Sequence, residues 1–148
     1  MRRFLSRLQL RLRRHGPRLK VRPSVPSLHE LAKDAAALLV TNVGRATAFN
    51  VVVSIRVRSS AFQFDEIESI EPRAEAPLLH QSNAGFKFES AAPSTNWFRI
   101  VLRTVVRDAG TDLRIPLAVH YKDGAGRESV RKQTLHCDED LRLRVTNG

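Results

Sequence analysis

The chain has 148 residues, a net charge of +10 at pH 7, 42% apolar residues and one cysteine. That length suits one domain with a real core, and no apolar run approaches the ~18 residues of a membrane span. One cysteine excludes an intrachain disulfide, the start lacks the apolar stretch of a secretory signal, and no Asn-x-Ser/Thr acceptor occurs, so a cytoplasmic setting, at most peripheral to a membrane, is expected.

The charge is unevenly placed. Arg2, Arg3, Arg7, Arg11, Arg13, Arg14, Arg18, Lys20 and Arg22 all precede the first acid, Glu30. Beyond residue 22 the chain carries sixteen cations against fifteen acids. The basic pI therefore reads as a property of the N-terminal segment and not of the whole protein. Residues 1–15 read as an amphipathic helix. At about 100° per residue, Phe4, Leu5, Leu8 and Leu12 fall on one side and the arginines on most of the rest, with Leu10 the exception. A short strand competes, because Leu8 to Arg13 also alternates. Gly16-Pro17 ends this segment, so the expected division is an extension over 1–17 and a domain over 18–148.

Strands follow in order. Arg18 to Arg22 alternates and reads as the first, broken by Pro23 and Pro26. Residues 27–34 suit a helical turn or a loop. Residues 35–42 and 48–58 read as strands joined by the tight turn Asn42-Val43-Gly44. In the second, Val51, Val53, Ile55 and Val57 share one face, while Val52, Ser54, Arg56 and Arg58 share the other. The stretch Phe62 to Ile70 mixes periods. Pro72 and Pro77 bracket a turn, Leu78 to His80 suits a short strand, and Phe86 to Phe88 follows the turn Asn83-Ala84-Gly85. Phe98, Ile100 and Leu102 alternate in one strand. Leu113, Ile115, Leu117, Val119 and Tyr121 alternate in the next, where Pro116 predicts an edge or a bulge. Asp123 to Arg127 reads as a hairpin loop, Ser129 to Cys137 as its returning strand, and Leu141, Leu143 and Val145 as a short last strand. Many short strands with regular turns and no long helix in the domain predict an all-β sandwich.

The run Val40-Thr41-Asn42-Val43-Gly44-Arg45-Ala46-Thr47-Ala48-Phe49-Asn50-Val51 resembles the bacterial immunoglobulin-like domains of the cell-adhesion-related (CARDB-like) type. Val119-His120-Tyr121-Lys122-Asp123-Gly124-Ala125-Gly126 looks like their closing hairpin. The resemblance spans about residues 18–137 and implies an immunoglobulin-like antiparallel β-sandwich of bacterial or phage origin, generally a non-catalytic module. In the residues themselves, Asn42 suits a side-chain bond to its own turn, and Gly44 suits a positive φ. Gly44 is then the more sensitive of these two structural positions.

The sequence offers little chemistry. His15, His29, His80, His120 and His136 lack the spacing of metal ligands, so no metal and no cofactor are expected. His136-Cys137-Asp138-Glu139-Asp140 is the densest cluster of ligand types and reads as a strand end followed by a solvated acidic turn. Cys137 reads as a core thiol. Asp123 to Arg127 lacks the Lys-Ser/Thr ending of a phosphate loop, and Trp97 reads as a core anchor. No catalytic residue is assigned and no enzyme is expected. The candidate site is the nine-cation segment, with a protein partner expected and three readings of its role, set beside a disordered basic arm with no specific partner. It lies on an anionic membrane with Phe4, Leu5, Leu8 and Leu12 inserted, or it contacts nucleic acid as a ribosome- or virion-associated structural protein would, or it directs the chain to an organelle.

Overall fold

The computed structural model describes residues 16–31, 35–57, 60–79, 106–107 and 112–148. Nine strands occur in this part: β1 (Leu19–Pro23), β2 (Leu38–Asn42), β3 (Ala48–Val57), β4 (Ser60–Gln63), β5 (Ile67–Ile70), β6 (Glu75–Pro77), β7 (Leu113–Lys122), β8 (Glu128–Cys137) and β9 (Leu143–Asn147). A single 3₁₀ turn, Leu28–Glu30, sits between β1 and β2, with Ser27 as its N-cap. The strands form two antiparallel sheets. One has the order β1-β2-β6. The other runs β4-β3-β7-β8-β9, with β5 pairing beside β4 on the same strand, β3. The protein is an all-β sandwich. The expected strands at Phe86–Phe88 and Phe98–Arg103, and Trp97, lie outside the described residues.

Period-2 alternation sends one side of each sheet inward. Leu19, Val21, Leu38 and Val40 of the first sheet meet Val51, Val53, Ile55, Ile115, Leu117, Val119, Leu135 and Cys137 of the second in one buried cluster. Alternation slips once. Ala48 and Val51 are both buried because β3 carries a bulge between Phe49 and Val52 against β7. Asn50 sits there at φ 50, a conformation that Asn tolerates better than most residues.

The connection from β2 to β3 is not a hairpin within one sheet. It carries the chain from one sheet to the other, and Asn42 stands at the crossing. Leu38, Val40 and Asn42 all point inward, and Asn42 is fully buried. Its amide nitrogen donates to the carbonyls of Ala46 at 2.8 Å and Ile70 at 2.9 Å. Its Oδ1 accepts from Gly44 N at 2.9 Å and Arg18 N at 3.2 Å. Its backbone N–H donates to Ala74 O, and its carbonyl accepts from Arg73 N. These bonds reach the residue before β1, the crossing, β5 of the other sheet and the Pro72-Arg73 turn.

Gly44 is needed for a different reason than the sequence suggests. It is absent from the positive-φ glycines, which are Gly126 and Gly148 among the described residues. Its constraint is close approach. A Cβ there would lie 2.5 Å from Arg18 N and 2.8 Å from the Pro17 carbonyl carbon, and nearer still to the Gly16 carbonyl oxygen. Residues 43–45 extend the β1–β2 ladder, with Val43 N donating to Arg18 O and Arg45 N to Gly16 O.

Both late hairpins use one loop design. Asp123 N donates to Arg127 O, Gly126 N donates to Asp123 O, and Asp123 Oδ1 accepts from Arg127 N. Asp138, Leu141 and Arg142 repeat each of these bonds. The left-handed position is Gly126 at φ 79 in the first loop and Leu141 at φ 61 in the second. Leucine bears that strain because its side chain is buried and its carbonyl accepts from Leu28 N at 2.9 Å.

Pro116 does not mark an edge. β7 lies between β3 and β8. Pairing with β8 runs through Pro116↔Thr134 without a break, while pairing with β3 stops at Leu117↔Ile55. The missing donor is thus accommodated where the β3 ladder ends.

The bonds reverse the expected ranking of the two turn residues. Asn42→Ala strands four backbone partners, Ile70 O among them in buried surroundings, and should cost about 3 kcal/mol or more. Asn42→Asp should do no better at neutral pH, since a carboxylate gives nothing to the Ala46 and Ile70 carbonyls. Gly44→Ala should cost about 1–3 kcal/mol by displacing residues 16–18. Urea midpoints of the three variants check the order, and an Asn42→Ala midpoint above that of Gly44→Ala contradicts it.

Candidate anion-binding surface

The basic segment is divided by the fold. Arg2, Arg3, Arg7, Arg11, Arg13 and Arg14 lie outside the described residues, as do Phe4, Leu5, Leu8 and Leu12. Arg18, Lys20 and Arg22 belong instead to β1 or its first approach and so to the sandwich. Arg18 uses its backbone N–H to hold Asn42. Arg22 is spoken for: its Nε and Nη2 reach both carboxylate oxygens of Glu75 at 2.6–3.0 Å. The Arg22 guanidinium and the Thr41 hydroxyl hold the Glu75 carboxyl below its usual range. The pair is exposed, so it adds little stability. Its effect on charge is local: Glu75 offsets the cations of β1.

The cluster after His136 is built into the end of β8 and the turn that follows. Cys137 is fully buried, and burial, with Asp138 and Asp112 nearby, pushes its thiol from 9.0 up to about 11. Asp138 spends its carboxylate on Arg142 N. His136 Nε2 lies 2.8 Å from Thr146 Oγ1. Among the described residues, no group of three or more His, Cys, Asp or Glu is placed to hold a metal ion. No helix among them is long and apolar enough to cross a membrane.

A feature that sequence counting misses lies on the outer face of the six-stranded sheet. Register places Arg114, His136 and Arg144 side by side across β7, β8 and β9. Pro116, Thr134 and Thr146 form the next row, and Ala118 and Lys132 the one after. Ser54 of β3 continues that row, and Arg56 shares its outward parity. Lys122 stands at the far end, opposite Glu128. Arg56, Arg114, Lys122, Lys132 and Arg144 are all exposed. Among the described residues the ion pairs are Arg22–Glu75 and Arg127–Asp123, neither of which touches these five. Partial burial, Arg144 and Arg114 together lower the His136 pKa. The signal for this face was present in the strand parity, since 114, 132, 136 and 144 all alternate with core positions.

No family model, curated protein or solved structure matches the chain.

The thiol gives a direct check on this part of the fold. Cys137 in the native protein should resist an aromatic disulfide reagent at pH 8 and react at the rate of unfolding. Cys137→Ser should lower stability by about 1–2 kcal/mol and leave anion binding intact. A raised native pKa stabilises the fold below the ordinary thiol value and is lost as pH climbs from 9.0 towards about 11. Cys137→Ala should remove that alkaline loss, and rapid labelling of native protein would contradict the placement.

Proposed function

We propose that this protein is a non-enzymatic interaction module, an immunoglobulin-like β-sandwich held at an anionic partner by its arginine-rich N-terminus. It acts in the cytoplasm, where a membrane surface is one target. The carrying observation is charge placement: nine cations precede the first acid. The fold supplies a fixed origin for that segment. Gly16 and Pro17 pack under Gly44, and the Arg18 N–H is bound to Asn42. The immunoglobulin-like reading, with its CARDB-like resemblance, draws support from strand partition. The first two strands share one sheet, while β3, β7 and β8 lie side by side in the other. Strands A and B against C, F and G divide the same way in immunoglobulin domains.

A second reading, association with nucleic acid, is favoured by the uncompensated cations on the outer face of the six-stranded sheet. The two targets ask different things of residues 1–15. Arginine serves any polyanion, whereas Phe4, Leu5, Leu8 and Leu12 serve only a membrane.

The full chain with Arg2, Arg3, Arg7, Arg11, Arg13 and Arg14 changed to Ser tests the reading. Each cation contributes up to ~1 kcal/mol at a phosphatidylserine-rich surface. Vesicle binding should therefore fall at least tenfold even with strong non-additivity, and binding should weaken steeply with salt. Changing Phe4, Leu5, Leu8 and Leu12 to Ser should weaken vesicle binding and spare nucleic acid. Arg18, Lys20 and Arg22 stay in place because they lie in or next to β1, where Arg22 pairs with Glu75. Unchanged binding of the six-arginine variant to every anionic target would overturn the proposal.

A further inference from the structure

We propose that the outer face of β7, β8 and β9 is a second, independent polyanion surface that takes the phosphodiester backbone of a nucleic acid. It is a different site from the N-terminal segment, and it is made of residues that the overall charge count treats as neutralised.

The face is a rigid grid. Neighbouring strands lie about 4.8 Å apart and alternate residues about 6.8 Å apart along a strand. Arg114 and Arg144 therefore flank His136 at a separation of about 10 Å, with Lys132 two rows along β8. Arg56 of β3 carries the patch sideways beyond Pro116. The other sheet shows what neutralisation looks like in this protein: there Glu75 takes both a guanidinium and a hydroxyl. Among the described residues no comparable acid stands between Arg114, Lys132 and Arg144. Glu128 is at the Lys122 end, Asp112 lies beyond the start of β7, and Asp138 beyond the end of β8 has its Oδ1 committed to its own turn.

Charge complementarity calls for a polyanion, and side-chain chemistry selects which. Guanidinium groups match phosphate oxygens bidentately. Thr134 and Thr146, between the cations, add hydroxyls of the kind that contact phosphate and sugar. The exposed apolar side chains, Val130 and Phe49, sit towards the Lys122 end. The arginine row thus lacks the apolar anchors that a lipid surface rewards. No Phe, Tyr or Trp falls in the rows of β7, β8 and β9 on this face, so bases find no large aromatic stacking platform. Recognition is therefore of backbone and independent of sequence. The chain also enters at this sheet's Lys122 end: Leu19 pairs with Asn42, Asn42 reaches Ile70, Ile70 pairs with Ala48, and Phe49 pairs with Lys122.

The test uses the full chain and a fluorescein-labelled DNA duplex of mixed sequence, read by anisotropy between about 50 and 200 mM salt. Arg114→Gln, Lys132→Gln and Arg144→Gln combined should weaken binding at least tenfold and lower the salt slope by about 2–3, since each phosphate left without its cation removes about 0.9. The thermal midpoint should hold, because all three side chains are exposed. Should the triple variant melt early, Arg114→Gln and Arg144→Gln singly should each remove about one unit of slope. His136 gives a readout confined to the face. Arg144 and Arg114 flank it, Thr146 bonds it, and Thr134 and Asp138 are its neighbours along the strand. Phosphate neutralising the two arginines should raise the imidazole pKa in the complex, followed by NMR. The six-arginine variant of the N-terminus should keep this His136 response. Parental affinity and slope in the triple variant overturn the proposal whatever the N-terminus does. Loss on phosphatidylserine vesicles with unchanged duplex binding overturns the assignment to nucleic acid.

Discussion

A single buried amide sets how the two sheets meet. Asn42 has no solvent contact, so every polar atom it carries must find a partner inside the protein. All of them do, through two side-chain donor bonds, two side-chain acceptor bonds and both backbone groups. The amide is the smallest side chain that offers two donors and two acceptor sites together, and here each is aimed at a different segment. Ile70 belongs to the opposite sheet, so rotating one sheet against the other breaks at least one bond in a place water cannot repair. The backbone of Asn42 also clamps Glu71 to Ala74, where Ala74 N donates to Glu71 O and Arg73 stands at φ 66. A non-glycine residue is costly at that turn position, and the two bonds to Asn42 offset it.

The other flank is closed by a different device. β1 is an edge strand, and its inward edge would leave the Val21 N–H without a partner. Gln133 reaches across from β8 and accepts that N–H at 2.9 Å. Beyond β1 the chain crosses to β9, where Pro26 O accepts from Leu143 N and Leu28 N donates to Leu141 O. The outer edge of β9 is thereby covered near its start instead of being left open for another strand. Two buried amides and one crossing segment thus hold together what apolar packing alone would leave free to slide, since hydrophobic contact has no direction.

Much of this was legible, and the failures have physical causes. The strands of β3, β7 and β8 stood out because each buries one face and exposes the other. Parity also placed Asn42 after Leu38 and Val40, and Gln133 before Leu135 and Cys137, on the inward side. The Asn-x-Gly pattern concealed the first of these, because a turn explains Asn and Gly without any burial. Gly44 illustrates the ambiguity: glycine answers both a positive φ and a close approach, and only the path of residues 16–18 tells them apart. Pro116 misled because one residue in a central strand has two edges, and a ladder can end on one while continuing on the other. The second Asp-led loop was hidden by Leu141, whose burial outweighs a backbone conformation that leucine ordinarily avoids.

The charge pattern shows the same gap between composition and placement. Beyond residue 22 the cations and acids nearly balance, which suggests a neutral domain. Balance along a chain is not balance in space. Packed sheets are separated by about 10 Å, and screening in physiological salt acts over about 8 Å. Glu75 on the outer side of one sheet therefore does little for Arg114 or Arg144 on the outer side of the other. What an approaching polyanion meets is the sum over one face, and alternation decides that sum by sending every second residue to the same side. On β7 and β8 the inward residues are apolar or hydrogen-bonded, and the outward ones include Arg114, Lys122, Lys132 and His136. The part of the chain beyond residue 22, whose total is close to zero, in this way presents a strongly basic surface without a basic run of its own.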